Sequence, residues 1–414
     1  MTSVSEGTKT GSIFGGTLLI SGSCIGAGML GLPILTGVAG FLPAMVMFFA
    51  AWLFMTLTGL LLVEVSTWFN TPVNFLSMVD KTLGRAGRIC GWILYLFLFY
   101  ALGVAYLSSS SNHTSYFFSH VLMLNIPTWF SSVFFVVIFG WLIYLGTRPV
   151  DLFNRGLMFA KIVVFASLLI LGANFVKSKN LLYTDFKYSL FSLPILIISF
   201  GFHNMIPSLY SYLGGDIKRI KTSIIAGSLF TLLVYVLWEI IVLGILTVKG
   251  SNGILESYHN DIGAAQALRN TLGSNALGVF AQLLAFFAIL TSFIAQSLSL
   301  VHFLGDGLKV KKKKRENIWL CLLALLPPLV FSIIFPQLFF AAINFAGGVC
   351  AVILFGILPV LMVWIGRYRH KIPSNYKIIG GQPLLVCIML FALFVVVYQV
   401  TNMFGFNLFS IPKI

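Results

Sequence analysis

The sequence predicts an all-α integral membrane protein with about eleven transmembrane helices. Of its 414 residues, 59% are hydrophobic and 9% are charged, and the mean hydropathy is +0.99. Soluble domains average about 45–50% apolar and about 25% charged residues. The 11 acidic residues are too few to build a water-facing surface over this length. The composition therefore excludes a soluble globular enzyme, a disordered chain and a secreted disulfide scaffold.

Apolar runs long enough to cross the hydrocarbon core, about 20 residues, occur eleven times along the chain. They lie near residues 13–36, 41–63, 89–111, 129–147, 156–176, 189–212, 223–246, 276–301, 317–335, 338–365 and 382–403. The connecting segments are short except for 247–275, where Gly263 to Thr271 is expected to form a surface helix. One transmembrane domain is therefore expected over residues 1–414.

The lysine and arginine residues predict the orientation of the chain, because cytoplasmic loops carry an excess of them. With the N-terminus in the cytoplasm, and Lys161 left out because it lies in a span, 19 fall on the cytoplasmic side and 6 on the other. This separation indicates an odd number of spans, with the C-terminus outside. The most basic stretch, expected to anchor the chain to lipid headgroups and not to bind nucleic acid, comprises Lys309, Lys311, Lys312, Lys313, Lys314 and Arg315.

The cysteines and the N-terminus carry no further signal. The five cysteines, in or beside apolar runs, are Cys24, Cys90, Cys321, Cys350 and Cys387. None has CxxC spacing or a histidine cluster nearby, so no metal site, disulfide framework or cofactor is expected. Residues 1–11 lack the basic and apolar regions of a signal peptide, so the first apolar run is expected to be a retained span.

Two spans carry sequences that favour a broken helix at membrane depth. The first contains three glycines in seven residues, Gly22-Ser23-Cys24-Ile25-Gly26-Ala27-Gly28. The sixth contains Ser199-Phe200-Gly201-Phe202-His203-Asn204-Met205-Ile206-Pro207. Taken singly, each stretch equally fits close glycine packing or a proline kink. An unwound segment in hydrocarbon is tolerated only where it lines a cavity or binds something.

The positions of the two breaks indicate an internal repeat. They fall in spans 1 and 6, the first spans of two five-span units, residues 12–176 and 189–365. Because five is odd, the second unit is inverted, and span 382–403 is an additional helix. Paired interruptions of this kind mark the central site of secondary transporters. The N–H groups and carbonyls at the broken ends suit the carboxylate and the ammonium of an amino acid.

A few polar side chains lie inside the spans, and Lys161 is one of them. It lies ten residues after Asp151, about 15 Å along a helix, and so near the bilayer midplane. It either snorkels back to the interface or has a function there: it binds and releases a proton, or its charged ammonium replaces a metal cation. Thr291 and Ser292, midway along span 8, bond to their own helix, help to coordinate a cation, or bond to Lys161.

His203 and Glu239 leave similar alternatives open. His203 either titrates during transport or is a fixed hydrogen-bond partner of the unwound backbone. Glu239, the only carboxylate well inside an apolar run, is either a buried structural group or a proton relay. Single polar groups such as Tyr100 and Gln296 are mostly explained by hydrogen bonds between helices.

Other functional classes find less support in the sequence. An ion channel would show a repeated filter motif or charged rings, and neither is present. A membrane enzyme would show paired catalytic carboxylates, HExxH or GxSxG with its partners. The sequence has none of these, and it has no GxxxxGK[ST] loop for ATP. Transport is therefore expected to be secondary.

A series of motifs, spread over nearly the whole chain, occurs in the same order as in the bacterial hydroxy/aromatic amino acid permeases. The sequence therefore resembles this family. The motifs are Gly26-Ala27-Gly28-Met29-Leu30, Leu32-Pro33, Asp151-Leu152-Phe153-Asn154-Arg155 with Lys161, Ser199-Phe200-Gly201-Phe202-His203, Thr291-Ser292-Phe293 and Pro327-Pro328. The resemblance implies the five-plus-five inverted-repeat fold of amino acid/polyamine/organocation transporters, with an eleventh helix, in the bacterial cytoplasmic (inner) membrane. The N-terminus is then cytoplasmic and the C-terminus periplasmic.

The resemblance also implies proton-coupled import of an aromatic amino acid, with tyrosine favoured and with the proton favoured over sodium. Tryptophan, or serine and threonine, remain alternative substrates. The implied substrate-binding residues are Gly22, Ser23, Ile25, Gly26, Ala27, Gly28, Tyr100, Phe200, Gly201, Phe202 and His203. Asn204, next in the sequence, is a further candidate for substrate binding. The implied proton-coupling residues are Lys161, Thr291 and Ser292, and Glu239 joins these candidates because of its position inside an apolar run. Two residues depart from the family pattern: Asn204 replaces a glycine and Glu239 replaces a neutral amide, and both positions bear on substrate size or proton stoichiometry.

Overall fold

The computed structural model describes residues 11–69, 73–121, 123, 126–273, 276–310, 316–374 and 376–405. The α-helices, α1 to α17 in chain order, are Ile13–Cys24, Gly28–Gly37, Phe41–Ser66, Phe75–Val121, Thr128–Tyr144, Thr147–Gly172, Ser178–Leu181, Leu193–Ser199, Ile206–Tyr212, Ile217–Ile245, Ile254–His259, Ala264–Leu272, Ala276–Gly307, Ile318–Ile334, Phe339–Phe345, Leu358–Trp364 and Gly381–Met403. A π-helical segment, Ala346–Ile357, joins α15 to α16. The predicted all-α class is confirmed.

Membrane-spanning helices account for most of the described chain. Within those residues, eight helical stretches are long and apolar enough to cross a membrane, and the bent pair α1–α2 makes a ninth. Two further apolar helices, α5 and α14, have 17 residues each, at the lower end of the range that crosses a bilayer. Each of the eleven predicted apolar runs coincides with one of these units. Eleven crossings and the inverted repeat stay predictions.

The helices α13 and α10 pack closely against several neighbours. α13 packs against α4, α6 and α12, and α1 runs along α10. The contact between α1 and α10 requires a glycine, because a Cβ on Gly227 would lie 2.7 Å from Ile20 Cβ and 2.8 Å from Thr17 O. Small residues let helix backbones approach in this way within membranes. The approach fixes α1 directly against the helix that carries Tyr235 and Glu239.

A buried ion pair ties one end of the bundle together. The carboxylate of Glu64, at the end of α3, pairs with the guanidinium of Arg367, and both side chains are almost fully buried. The same carboxylate accepts a hydrogen bond from Ile378 N at 2.9 Å. Buried charges require this kind of pairing. The pair therefore fixes the connection before α17 to the end of α3.

Residues 247–273, the described part of the long connecting segment, cap the bundle at the end opposite the start of α1. Their predicted surface helix is confirmed as α12, which buries an apolar face of three alanines and Leu268. Asp261, between α11 and α12, accepts hydrogen bonds from Phe339 N at 2.7 Å and Phe340 N at 3.0 Å. These bonds hold the segment on the start of α15. Residues 311–315 of the predicted lipid anchor, together with Lys9 and Lys413, lie outside the described residues, whereas Lys309 of that anchor lies within them.

Candidate functional site

The first span is broken where the sequence predicts. α1 ends at Cys24, α2 begins at Gly28, and the two helices meet at 62°. Ile25 has φ −74° and ψ 80°, and Gly26 N donates to Cys24 O at 2.8 Å. This is an inverse γ-turn, which reverses the chain too tightly for the α-helical hydrogen-bond ladder to continue. The carbonyls of Cys24 and Ile25 and the N–H of Ala27 are therefore left without α-helical partners.

Side chains from three neighbouring helices hold the freed backbone. Lys161 Nζ, on α6, donates to Ile25 O at 2.8 Å. Ser292 Oγ, on α13, accepts from Ala27 N at 2.9 Å. Tyr235, on α10, places its hydroxyl 2.7 Å from Cys24 O. Unwound backbone at this depth persists only if it is satisfied in such a way, so these three contacts stabilise the break.

The sixth span is interrupted as well. α8 ends at Ser199, a 3₁₀ turn covers His203–Met205, and α9 begins at Ile206 with Pro207 in its first turn. Phe200 to Phe202 are outside any helix. A proline at the start of a helix lacks only an N–H that has no intrahelical acceptor, which explains why the chain restarts there. The predicted second break is confirmed.

The two breaks lie against each other. The hydroxyl of Tyr235 is 2.7 Å from Cys24 O and 3.0 Å from Ser199 O, so one phenol bridges the last residues of α1 and α8. A Cβ on Gly28 would lie 2.8 Å from Ser199 Oγ. The glycine therefore permits the close approach between the start of α2 and the end of α8.

A cavity of about 400 Å³ opens beside the two breaks. This volume falls within the range of small-molecule sites. Its walls come from α1, α4, α6, α13, the sixth-span break and the π-helical segment. Among the described residues that line the cavity, Lys161 is the one that carries a charge. In the described part of the chain, no group of histidine, cysteine or acidic side chains could hold a metal ion.

Most of the sequence-predicted site residues line this cavity. They are Gly22, Ser23, Ile25, Gly26, Ala27, Gly28, Lys161, Gly201, Asn204, Thr291 and Ser292. Thr291 also donates to Ala288 O of its own helix at 3.1 Å. The cavity thus gathers residues that lie up to 270 positions apart in the sequence around one space.

Tyr100 lies outside the cavity, and its hydroxyl donates to Leu323 O at 2.9 Å. The face of α4 that lines the cavity carries other aromatic residues, namely Tyr95, Phe99 and Tyr106. Position 100 follows Phe99 by one residue and is therefore rotated by about 100° around the helix. Helical spacing relates these three rings, but the sequence does not say which face of α4 points inward.

The aromatic residues of the sixth span lie behind the cavity wall. Phe200 is fully buried, with its ring centroid 5.4 Å from that of Tyr235. His203 is stacked between Phe202 at 5.1 Å and Phe355 at 4.9 Å. Its Nε2 lies 2.9 Å from the hydroxyl of Thr58. His203 is therefore partnered by a side chain of α3, while Phe355 stands between it and the cavity.

Glu239 is separated from the cavity and joins α10 to α2. Its carboxyl group is fully buried and contacts the hydroxyl of Thr36, which also donates to Leu32 O at 2.8 Å. The neighbouring Trp238 Nε1 donates to Met29 O at 2.8 Å. These contacts stabilise the half-helix beyond the first break.

The comparison with known proteins identifies the family. A model described as the tryptophan/tyrosine permease family matches residues 9–399. The chain belongs to this family. The permease is similar to tyrosine-specific transport system 1 of Haemophilus influenzae, with 33% identity over 91% of this chain and 93% of the relative. It is also similar to tyrosine-specific transport system 2 of that organism, at 30% over 95% and 97%.

A tryptophan-specific transport protein of Haemophilus influenzae is 29% identical over 95% of this chain and 96% of its own length. All these relatives are transport proteins, so the permease is not an enzyme. The expected aromatic amino acid permease family is confirmed. A multi-pass helical permease with bacterial relatives indicates the inner membrane.

Proposed function

We propose that this permease imports tyrosine across the cytoplasmic membrane by proton symport and alternating access. The single observation that carries the proposal is the cavity of about 400 Å³ beside two broken helices. Two inverted five-helix repeats, residues 12–176 and 189–365, would supply one break each. The eleventh helix, residues 382–403, completes the transmembrane domain.

The broken ends suit the dipolar part of an amino acid. Gly28 begins α2 and lines the cavity, and the first N–H groups of a helix have no intrahelical acceptor and carry a partial positive charge. The substrate carboxylate binds there. α8 ends at Ser199, also at the cavity, and its terminal carbonyls attract the substrate ammonium. Gly22, Ser23, Ile25, Gly26, Ala27, Gly201 and Asn204 form the remaining surface around these groups.

Lys161 is the proposed coupling residue. It is buried, it donates to the freed Ile25 carbonyl, and Thr291 and Ser292 line the cavity with it. A charged ammonium at this position holds the carbonyl that a bound metal cation could otherwise hold. Loss of its proton weakens that contact and loosens the break. Protonation of Lys161 therefore links the first broken helix to the proton gradient, and sodium is not required.

The cytoplasmic side is proposed to be the end at which α1 begins. The lysine and arginine count places this end inside, with the C-terminus in the periplasm. The cavity lining extends along α1 to Leu18 and along α13 to Ser299, both toward this end of the bundle. With this orientation, the cavity would extend from the breaks toward the cytoplasm.

Uptake into proteoliposomes tests the proposal. Labelled tyrosine should accumulate only with an inward proton gradient. Accumulation without a gradient would refute the proposed proton coupling. Lys161→Ala should abolish driven accumulation but retain tyrosine exchange. Lys179→Ala, which removes an exposed lysine outside the cavity, is the matched control and should behave as the wild type. Driven accumulation by Lys161→Ala would exclude Lys161 as the coupling residue and leave Glu239 or His203.

A panel of unlabelled competitors defines the substrate. Tryptophan is the second candidate, because a tryptophan-specific relative matches 95% of the chain. Stronger competition by tryptophan than by tyrosine would replace the substrate in the proposal, and stronger competition by serine or threonine would remove the aromatic substrate altogether. Flux that does not saturate would indicate a channel.

A further inference from the structure

Gln296 presents a partly buried amide at the cavity wall. It lies on α13 and lines the cavity. Its Nε2 donates to Phe99 O, while its Oε1 is buried without a hydrogen-bond partner. The orientation of the amide is set by Phe99, because a flipped amide would bring two carbonyl oxygens together. A buried acceptor without a donor is costly, so this oxygen points to a ligand that donates a hydrogen bond.

We propose that Gln296 Oε1 accepts a hydrogen bond from the ring substituent of the substrate, so that the permease selects phenol or indole side chains over phenyl. This inference rests on the proposed function and specifies the side-chain end of the same site. The phenol O–H of tyrosine and the indole N–H of tryptophan are both donors, and phenylalanine has none.

The position of Gln296 relative to the break matches the length of such a substrate. Ser292, which accepts from Ala27 N, and Gln296 are four residues apart on the same face of α13. This separation is a rise of about 6 Å. An amino acid held by its carboxylate at the start of α2 can therefore extend a phenol or an indole along α13 to the amide.

Aromatic rings line the cavity around this amide. Tyr95, Phe99 and Phe355 belong to its wall, with ring centroids 5.9 Å apart for Tyr95 and Phe99 and 6.1 Å apart for Tyr95 and Phe355. Edge and face contacts at such distances favour a further aromatic ring. The carbonyl that orients the Gln296 amide belongs to Phe99 itself. One segment of α4 therefore supplies both the apolar wall and the support for the acceptor.

Asn154 provides a comparison within the same cavity. It also lines the cavity, and its Oδ1 is likewise buried without a partner. It precedes Lys161, which holds the break, by seven residues or about 10 Å along α6. That distance places it farther from the break than Gln296. Asn154→Leu therefore serves as the matched control.

Competition against labelled substrate in proteoliposomes tests the inference. The unlabelled probes are two pairs that differ by one donor: tyrosine with phenylalanine, and tryptophan with 1-methyltryptophan. In the wild type, the member with the donor should compete roughly three- to tenfold better, the effect of one hydrogen bond. Gln296→Met, similar in shape but without the amide, should bring the two members of each pair to equal potency and leave phenylalanine unchanged. Asn154→Leu should keep the wild-type ratio.

Each of the following results would overturn the inference. Equal weakening of both members of a pair in Gln296→Met would assign the amide a purely structural role. An unchanged ratio in that variant, or a lost ratio in Asn154→Leu, would place the recognition elsewhere. Wild-type uptake of tyrosine without discrimination would refute the inference and leave the proposed function intact. Absence of both tyrosine and tryptophan uptake by the wild type would refute both.

Discussion

Adding one methyl group at Gly26 tests whether the first break holds the substrate. A Cβ at this position would lie 2.7 Å from Ser292 Oγ. The serine hydroxyl must then move away from Ala27 N, to which it is bonded at 2.9 Å. Gly26→Ala therefore removes a contact that stabilises the unwound conformation, and alanine at the same time favours a continuous helix.

The magnitude follows from these two effects. Loss of the hydrogen bond costs about 1 kcal/mol, and the change in helix propensity from glycine to alanine adds about 1 kcal/mol in favour of the helical alternative. The sum of about 2 kcal/mol corresponds to roughly thirtyfold weaker tyrosine binding. Gly156→Ala is the control, because Gly156 lies in α6 with open space around its Cβ position.

Binding is measured by isothermal titration calorimetry on purified protein in nanodiscs. Gly156→Ala should bind tyrosine as the wild type does, with equal or slightly higher thermal stability. Equal affinities for Gly26→Ala and Gly156→Ala would refute the reasoning, since they would show that the unwound conformation does not contribute to binding. Loss of folding in Gly26→Ala is recognised separately from its thermal unfolding curve.

Three further predictions concern contacts around the site. Glu64→Gln leaves the buried guanidinium of Arg367 without a counter-charge and should cost about 3–5 kcal/mol of stability. The control Asp80→Asn removes an exposed ion pair and should cost about 1 kcal/mol or less. Equal thermal unfolding of the two variants in detergent would contradict this prediction. Burial raises the pKa of Asp261 above its ordinary value, despite the opposing amides at the start of α15. The folded protein thus holds the Asp261 proton more tightly than the unfolded chain, and stability should fall as pH rises from the ordinary carboxyl pKa through the raised value. Asp261→Asn should flatten the pH dependence of thermal stability in this range. An unchanged slope would show that Asp261 does not cause it. Tyr235→Phe removes the hydroxyl between the two breaks and should lower stability by about 1–3 kcal/mol in the same assay. A variant as stable as the wild type would show that this bridge is dispensable.

The sequence predicts the helices and their breaks because both depend on local composition. Apolar runs and glycine clusters are visible without knowledge of neighbours. Hydropathy detects only the part of a helix in hydrocarbon, however. The run predicted at 223–246 belongs to a helix, Ile217–Ile245, that starts earlier because Asp216 caps it. Gly84, with φ 73° inside α4, has no comparable signal in the apolar pattern.

The side chains that surround the cavity are less predictable, since their direction depends on packing between distant helices. Lys161 could be selected by its depth alone. Tyr95 and Phe99 line the cavity while Tyr100 does not, and this depends on the rotation of α4 against its neighbours. In the sequence, nothing distinguishes Gln296 from any other isolated amide in a span. Its unpartnered oxygen becomes visible only when Phe99 O is placed beside it.

A high-resolution structure of the permease with tyrosine bound gives the most direct test of the account. We predict density for the amino acid between the interrupted first and sixth spans, with its carboxylate within hydrogen-bond distance of Gly28 N and its phenol beside Gln296. Tyrosine bound at another place, or bound while residues 24–28 form a continuous helix, would contradict the central claim that the two broken spans create the binding site.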